Sequence, residues 1–170
     1  GGWLRMTAMS QSFGAPEPNI TERFGHDHTR LDDLLQRFER LNGSDLAAAR
    51  LVFAEFKAAL ERHMGCEEEV LFPMFEARTG MDDPGSTAVM RGEHHRLKNY
   101  LDQIQVALVQ QWPAPILDVL ALEDLLMQHS QTEETVLYPA LDSMLGSAER
   151  ARAVAGMELF GEGDAIPAPA

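Results

Sequence analysis

His63-Met64-Gly65-Cys66-Glu67-Glu68-Glu69-Val70-Leu71-Phe72-Pro73 returns 66 residues later as His129-Ser130-Gln131-Thr132-Glu133-Glu134-Thr135-Val136-Leu137-Tyr138-Pro139. The shared word is H-x-x-x-E-E-x-V-L-[FY]-P. Upstream, Asp27-His28-Thr29-Arg30-Leu31 and Glu93-His94-His95-Arg96-Leu97 obey the same 66-residue offset. The chain reads as two halves, each holding one H-x-R-L and, 35 residues later, one H-x-x-x-E. Residues at i and i+4 lie on one helix face, one turn apart. His63 with Glu67, and His129 with Glu133, can therefore each reach one point beside a helix.

Outward from these words, apolar residues recur at helical spacing and no strand alternation competes. A first helix is expected from Asn19 or Thr21 to Leu41, stopped by Asn42-Gly43. Its stripe is Ile20, Phe24, Leu31, Leu35 and Phe38, with His28 in the gap. A second starts near Ser44-Asp45 and carries Phe53, Phe56 and Leu60 into His63 and Glu67; Pro73 should kink or end it. The loop Thr79 to Ser86 follows. A third helix carries Met90, Leu97, Leu101, Ile104 and Leu108 around His94, and Trp112-Pro113-Ala114-Pro115 breaks it. The fourth carries Val119, Leu122 and Leu126 into His129, Glu133 and Val136, and closes at Pro139 and Gly146. Ser147 to Phe160 reads as a fifth, short helix. Four long helices on short connections predict an all-α fold: an antiparallel up-down-up-down four-helix bundle with a short extra C-terminal helix. Residues 1–18 read as a flexible N-terminal segment, 19–146 as the bundle, and 147–170 as the short helix and a flexible tail.

A chain of 170 residues, 45% of them hydrophobic, fits one domain with a real core. Its 14 basic residues against 27 acidic ones leave a net charge of −13. That field repels phosphate backbones, which argues against nucleic acid, and favours cations. The single cysteine, Cys66, excludes an intramolecular disulfide framework and fits a reducing compartment. No apolar run approaches a membrane span, and Gly1 to Glu17 lacks a signal-peptide core. The expectation is a soluble, cytoplasmic protein.

If the stripes face inward, four histidines and two glutamates are buried. An ionised carboxylate without a partner is very costly to bury, and no lysine or arginine lies in the stripes near these positions; Lys98 falls at a stripe edge. A dication is the simplest partner, so His28, His63, Glu67, His94, His129 and Glu133 are the predicted metal ligands. Imidazole with carboxylate suits iron, manganese or zinc, and the absence of a thiolate set excludes all-cysteine sites. Six ligands shared by two metals leave coordination positions open for a small ligand. Ligating histidines must be neutral, so affinity should fall as pH drops below about 6. His26 is expected on the surface and His95 beside the stripe. Glu68, Glu69 and Glu134 read as solvated, although Glu68 and Glu134 repeat and could help order the ligands. Cys66 reads as a packed residue, and Met90 and Phe24 as core with a secondary role in walling the site. Tyr138 could approach the site, but Phe72 at the matching place argues that its ring is for packing.

At these residues the chain resembles the hemerythrin-like HHE cation-binding domains, over about residues 19 to 146. The resemblance implies a four-helix bundle around a non-haem di-iron centre. His28 and His63 would serve one iron, His94 and His129 the other, with Glu67 and Glu133 bridging. Oxygen-carrying hemerythrins place H-x-x-x-H on the third helix, where this chain has Lys98. Their fourth helix has H-x-x-x-x-D, where this chain has His129-x-x-x-Glu133. Ferritin-like proteins use Glu-x-x-His, the reverse order. The leading expectation is a protein that binds or senses oxygen, nitric oxide or a related small ligand at two iron ions. Its rivals are a di-iron enzyme acting on peroxide, nitric oxide or Fe(II), an iron repair or storage protein, and a structural zinc bundle. Nothing in the residues decides between binding and catalysis, and the oligomeric state is unreadable.

Overall fold

A computed structural model describes residues 17–80 and 87–162, and every regular element among them is helical. In chain order these are α1 (Ile20–Leu41), α2 (Leu46–Cys66), α3 (Phe72–Thr79), α4 (Thr87–Val109), α5 (Ile116–Thr132), α6 (Tyr138–Met144) and α7 (Ser147–Glu162). A π turn, Glu67–Leu71, carries α2 into α3, and a second, Glu133–Leu137, carries α5 into α6. Most of the expected N-terminal segment, all of the Thr79 to Ser86 loop after Gly80 and the tail beyond 162 lie outside the described residues. No helix among those described is long and apolar enough to cross a membrane.

Local chemistry sets the helix ends. Asn19 caps α1 by accepting the Glu22 N–H at 3.0 Å, and Asp45 caps α2 by accepting the Ala48 N–H at 3.1 Å. The first amides of α1 have a second acceptor in Asp142 of α6. Its carboxylate takes the Ile20 and Thr21 N–H groups at 2.8 and 3.0 Å and the Thr21 hydroxyl at 2.6 Å. Asn42-Gly43 ends α1 as expected, with Gly43 at φ +121°, where other residues are strained. The Asn42 amide then donates to the Ala114 carbonyl at 3.0 Å and accepts the Ala114 N–H at 2.8 Å. That pair ties the α1–α2 turn to the proline-rich break before α5.

The helices pack as a bundle: α1 along α2, α4 along α5, α2 against α4, and α1 against α5 and α6. Two apolar clusters result. One holds Leu31, Leu35, Phe38, Phe53, Phe56, Leu60, Leu97, Leu101, Leu122 and Leu126. The other holds Ile20, Phe24, Leu71, Phe72, Met90, Leu137, Tyr138 and Leu141, and α7 adds Ala153 and Met157. The lone histidines mark the border between them. On α1, His28 stands between Phe24 of one cluster and Leu31 of the other; on α4, His94 stands between Met90 and Leu97.

Pro73 and Pro139 do not end their helical runs. Proline lacks the N–H that an α-helix needs, but both sit at the first turn of a following helix, where a donor is dispensable. The π turns make this possible. The Phe72 N–H bonds back to the Glu67 carbonyl and the Tyr138 N–H to the Glu133 carbonyl, five residues rather than four. The extra residue also changes which side chains face inward. Val136, expected in the fourth stripe, is exposed, while Leu137 and Tyr138 are buried.

Candidate metal centre

All six predicted ligands are buried, each at most 4% exposed, and they meet between the two apolar clusters. They form two overlapping groups: His28, His63, Glu67 and Glu133, and Glu67, His94, His129 and Glu133, with the donor atoms of each group within 4.8 Å of one another. His28 Nε2 stands 3.0 Å from His63 Nε2, and His94 Nε2 stands 3.0 Å from His129 Nε2. Each carboxylate spans both groups. Glu67 turns Oε1 to His63 at 3.3 Å and Oε2 to His94 at 3.2 Å. Glu133 turns Oε1 to His129 at 2.9 Å and Oε2 to His28 at 3.2 Å.

The outer nitrogen of every ring is held by a further carboxylate. His63 Nδ1 bonds Asp27 at 2.8 Å and His129 Nδ1 bonds Glu93 at 2.6 Å. Across the halves, His28 Nδ1 bonds Glu134 at 2.7 Å and His94 Nδ1 bonds Glu68 at 2.8 Å. Asp27 and Glu93, like Glu68 and Glu134, are 66 residues apart, so the outer layer repeats as faithfully as the inner one. An ionised carboxylate only accepts, so each Nδ1 carries the hydrogen, and a ring in its neutral, metal-binding form turns a bare Nε2 lone pair inward. Two lone pairs facing each other at 3.0 Å need a cation between them.

The residues fit a metal on two counts. Buried Glu67 Oε2 and Glu133 Oε1 make no hydrogen bond among the described residues, although imidazole nitrogens stand close by; an orphaned anionic oxygen is a costly arrangement unless a cation takes it. The spacing also matches. Two donors at right angles on a metal, each about 2.1 Å from it, are about 3.0 Å apart. The neighbouring donors here are separated by 2.9 to 3.3 Å.

Without metal, protons serve as the cations. Burial lowers the pKa of His63, but the Glu67 carboxylate and the Asp27 hydrogen bond outweigh it and push it up to about 10. Burial likewise opposes, and Glu133 and Glu67 overcome, in His129, which rises to about 9. Burial would raise Glu67, yet His63 and His94 hold it well below the usual carboxylate range.

Tyr138 is the residue that sequence reasoning misplaced. Read as a packing ring, it is fully buried with its hydroxyl inside the first group. The hydroxyl donates to Glu67 Oε1 or to Glu133 Oε2, the latter at 3.0 Å, and lies 3.3 Å from both His28 Nε2 and His63 Nε2. At about 100° per residue, position 138 falls about 140° from Glu133 on an α-helix; the π turn brings the two onto one side. Phe72, its counterpart, does pack as expected, stacked on His94 with centroids 5.4 Å apart. His26 and His95 are exposed. Glu68 and Glu134, whose repetition suggested that they could help order the ligands, hold His94 and His28, and Lys98 reaches Glu68 from the stripe edge at 3.4 Å. Cys66 is buried, and burial together with Glu67 and Asp27 pushes its thiol up to about 12. Solvent reaches the outer layer through a cavity of about 350 Å³ lined by Arg23, Asp27, Arg30, Arg62 and His63.

Fold and site together define a helical-bundle protein with a buried histidine–carboxylate centre for cations. Residues 19–141 match the hemerythrin HHE cation-binding domain, and the chain belongs to that family. It is 29% identical over 119 residues to the "Iron-sulfur cluster repair protein YtfE" of Yersinia pestis and to that of Yersinia pseudotuberculosis, covering 62% of this chain and 53% of theirs. It is 27% identical over 143 residues to a "DNA nickase" of Nostoc sp., covering 84% of this chain and 39% of that protein. The chain thus spans about half, or less, of the curated relatives it matches. No solved structure gives a significant match.

Proposed function

We propose that this chain is a non-haem di-iron protein that binds or senses oxygen, nitric oxide or a related small ligand. His28 and His63 hold one iron, His94 and His129 the other, and Glu67 and Glu133 bridge them. The observation that carries this reading is the division of each carboxylate between the two histidine pairs. The functional unit is the bundle of residues 19–146 in up-down-up-down order, with α7 as a cap, and the lone buried Cys66 fits a reducing cytoplasm. Iron supplies the open coordination positions and the redox chemistry. The protein's own part is to fix the rings through Asp27, Glu68, Glu93 and Glu134, to keep the Nε2 lone pairs inward, and to wall the centre from water with Phe24, Phe72 and Met90. Exposing the anaerobically reduced iron form to oxygen or nitric oxide tests the reading. The expected result is a change in visible absorption; a silent spectrum from a chain holding two irons overturns it.

A second reading is repair of iron–sulfur clusters, favoured by the name of the Yersinia relatives. Cys66 is an unsuitable cluster ligand, buried and with its thiol pKa raised to about 12. On that reading the work falls to the di-iron centre. Iron transfer from the loaded chain to an iron-depleted cluster protein supports it; no transfer counts against it. As for the nickase relative, the net charge of −13 weighs against DNA contact by this chain.

A further inference from the structure

The inner ligand set repeats, and so does the carboxylate layer behind it, but the layer that closes the centre does not. Position 72 is phenylalanine and position 138, its counterpart 66 residues later, is tyrosine. The two rings occupy matching places after matching π turns. Phe72 offers the His94/His129 group an apolar face. Tyr138 offers the His28/His63 group an oxygen.

The position of that oxygen is informative. It stands 3.3 Å from His28 Nε2, 3.3 Å from His63 Nε2 and 3.0 Å from Glu133 Oε2, and it hydrogen-bonds Glu67 Oε1. These are the partners that form the first metal-binding group. A metal bonded to all four would lie about 2.1 Å from each, so an oxygen at 3.0 to 3.3 Å is not in the metal's place. From His28, His63 and Glu133 it stands at the distance that would separate neighbouring ligands on one metal, while to Glu67 it makes a hydrogen bond.

We propose that Tyr138 is a fifth protein ligand of the metal held by His28 and His63, and that the two metal positions are therefore chemically unequal. The proposal rests on the iron reading above. As the phenolic oxygen takes the metal, the O–H bond breaks and its proton leaves to solvent; no electron moves in that step. The first metal is then held by two nitrogens and three oxygens from protein. The second would have only two nitrogens and two oxygens, so more of the positions open to an added ligand would lie on the His94/His129 side, near the Phe72 ring.

Phenolate bound to ferric iron absorbs in the visible region, and light tuned to that band enhances the ring vibrations of the ligating tyrosine. The chain is loaded with Fe(II) without oxygen, and ferricyanide then removes one electron per iron. Iron content, absorption and resonance Raman spectra are recorded. The expected result is a phenolate-to-iron band with tyrosine ring modes. Tyr138→Phe should lose the band and keep its iron, and Tyr100→Phe, which removes the other tyrosine of the chain, should leave the band intact. Phe72→Tyr should strengthen it by supplying a second phenol at the mirrored place. Iron bound with no such band, or a band that survives Tyr138→Phe, overturns the proposal while leaving the di-iron reading standing. Failure to bind iron overturns both.

Discussion

At the scale of single residues, the centre depends as much on what holds the histidines as on the histidines themselves. Asp27 and Glu93 keep the Nδ1 hydrogens of His63 and His129 outward and so keep the lone pairs inward. Removing such a partner typically costs 10- to 100-fold in metal affinity. Asp27→Ala is expected to weaken metal binding by about that factor while the chain stays folded; competition against a chelator measures it, and an unchanged dissociation constant contradicts it. The same groups set the response to pH. His63 and His129 titrate at about 10 and 9 in the metal-free chain. A group with a raised folded pKa stabilises fully below its unfolded value, about 6.5 for histidine, and loses that contribution as pH climbs through the folded value. Glu67 is the reverse: its contribution is present above about 4.3 and lost as pH falls through its depressed value. The metal-free melting temperature should hold between about pH 4.5 and 6.5, then decline toward pH 10. Melts of chelator-treated chain check this, and a melting temperature that climbs over the alkaline range contradicts it. Metal must displace those protons, so affinity should keep rising to about pH 9 or 10, instead of levelling above the free-histidine value of about 6.5. The inner six residues were legible because their spacing repeats in stripe gaps. The pKa shifts were only half legible: Glu67 and Glu133 act from four residues on in the same helical run, but the burial of the rings and the help of Asp27 and Glu93 come from the packing of other helices.

At the scale of elements, the π turns explain most of what linear reading missed. A stripe traced at 3.6 residues per turn places Val136 inside and Tyr138 beside the site. One extra residue in the turn exposes Val136 and aims the Tyr138 hydroxyl at Glu133. Nothing in the spacing of H-x-x-x-E-E-x-V-L-[FY]-P announces this except the proline at its end. A proline that does not break its helix has to be accommodated by a local change of register. Element ends were more readable, since Asn42-Gly43 and Asp45 act through local chemistry. Asp142 was not, because its partners, Ile20 and Thr21, are more than 120 residues away. Asp142→Ala leaves the first amides of α1 and the Thr21 hydroxyl without that acceptor. It should destabilise the fold by about 1–3 kcal/mol without changing metal stoichiometry. Urea unfolding alongside elemental analysis checks both halves of that statement; a loss of metal without a loss of stability contradicts it.

At the scale of the whole molecule, the 66-residue repeat appears as two half-sites facing each other across one centre. Neither half is complete, because each glutamate serves both histidine pairs and each half supplies the Nδ1 carboxylate for a histidine of the other. On the di-iron reading, metal would join the halves and should stabilise the entire bundle. With free metal a hundredfold above the dissociation constant, each site contributes about 2.7 kcal/mol. For a chain of this length about 2–4 °C of melting temperature accompanies each kcal/mol, so one filled site should raise it by about 5–11 °C. A calorimetric scan with and without metal measures the shift, and its absence contradicts ligation by groups from both halves. The helical fold was readable from the apolar stripes and their breaks, and the family from the repeated histidine and glutamate motifs; the crossing of carboxylates between halves needed the three-dimensional packing. The most direct test of the central claim is the iron content of the anaerobically reconstituted chain beside Glu67→Ala and Glu133→Ala. The account predicts two irons per parent chain and loss of one or both in each variant. A parent chain that stops short of two irons, or variants that both keep the full complement, would contradict it.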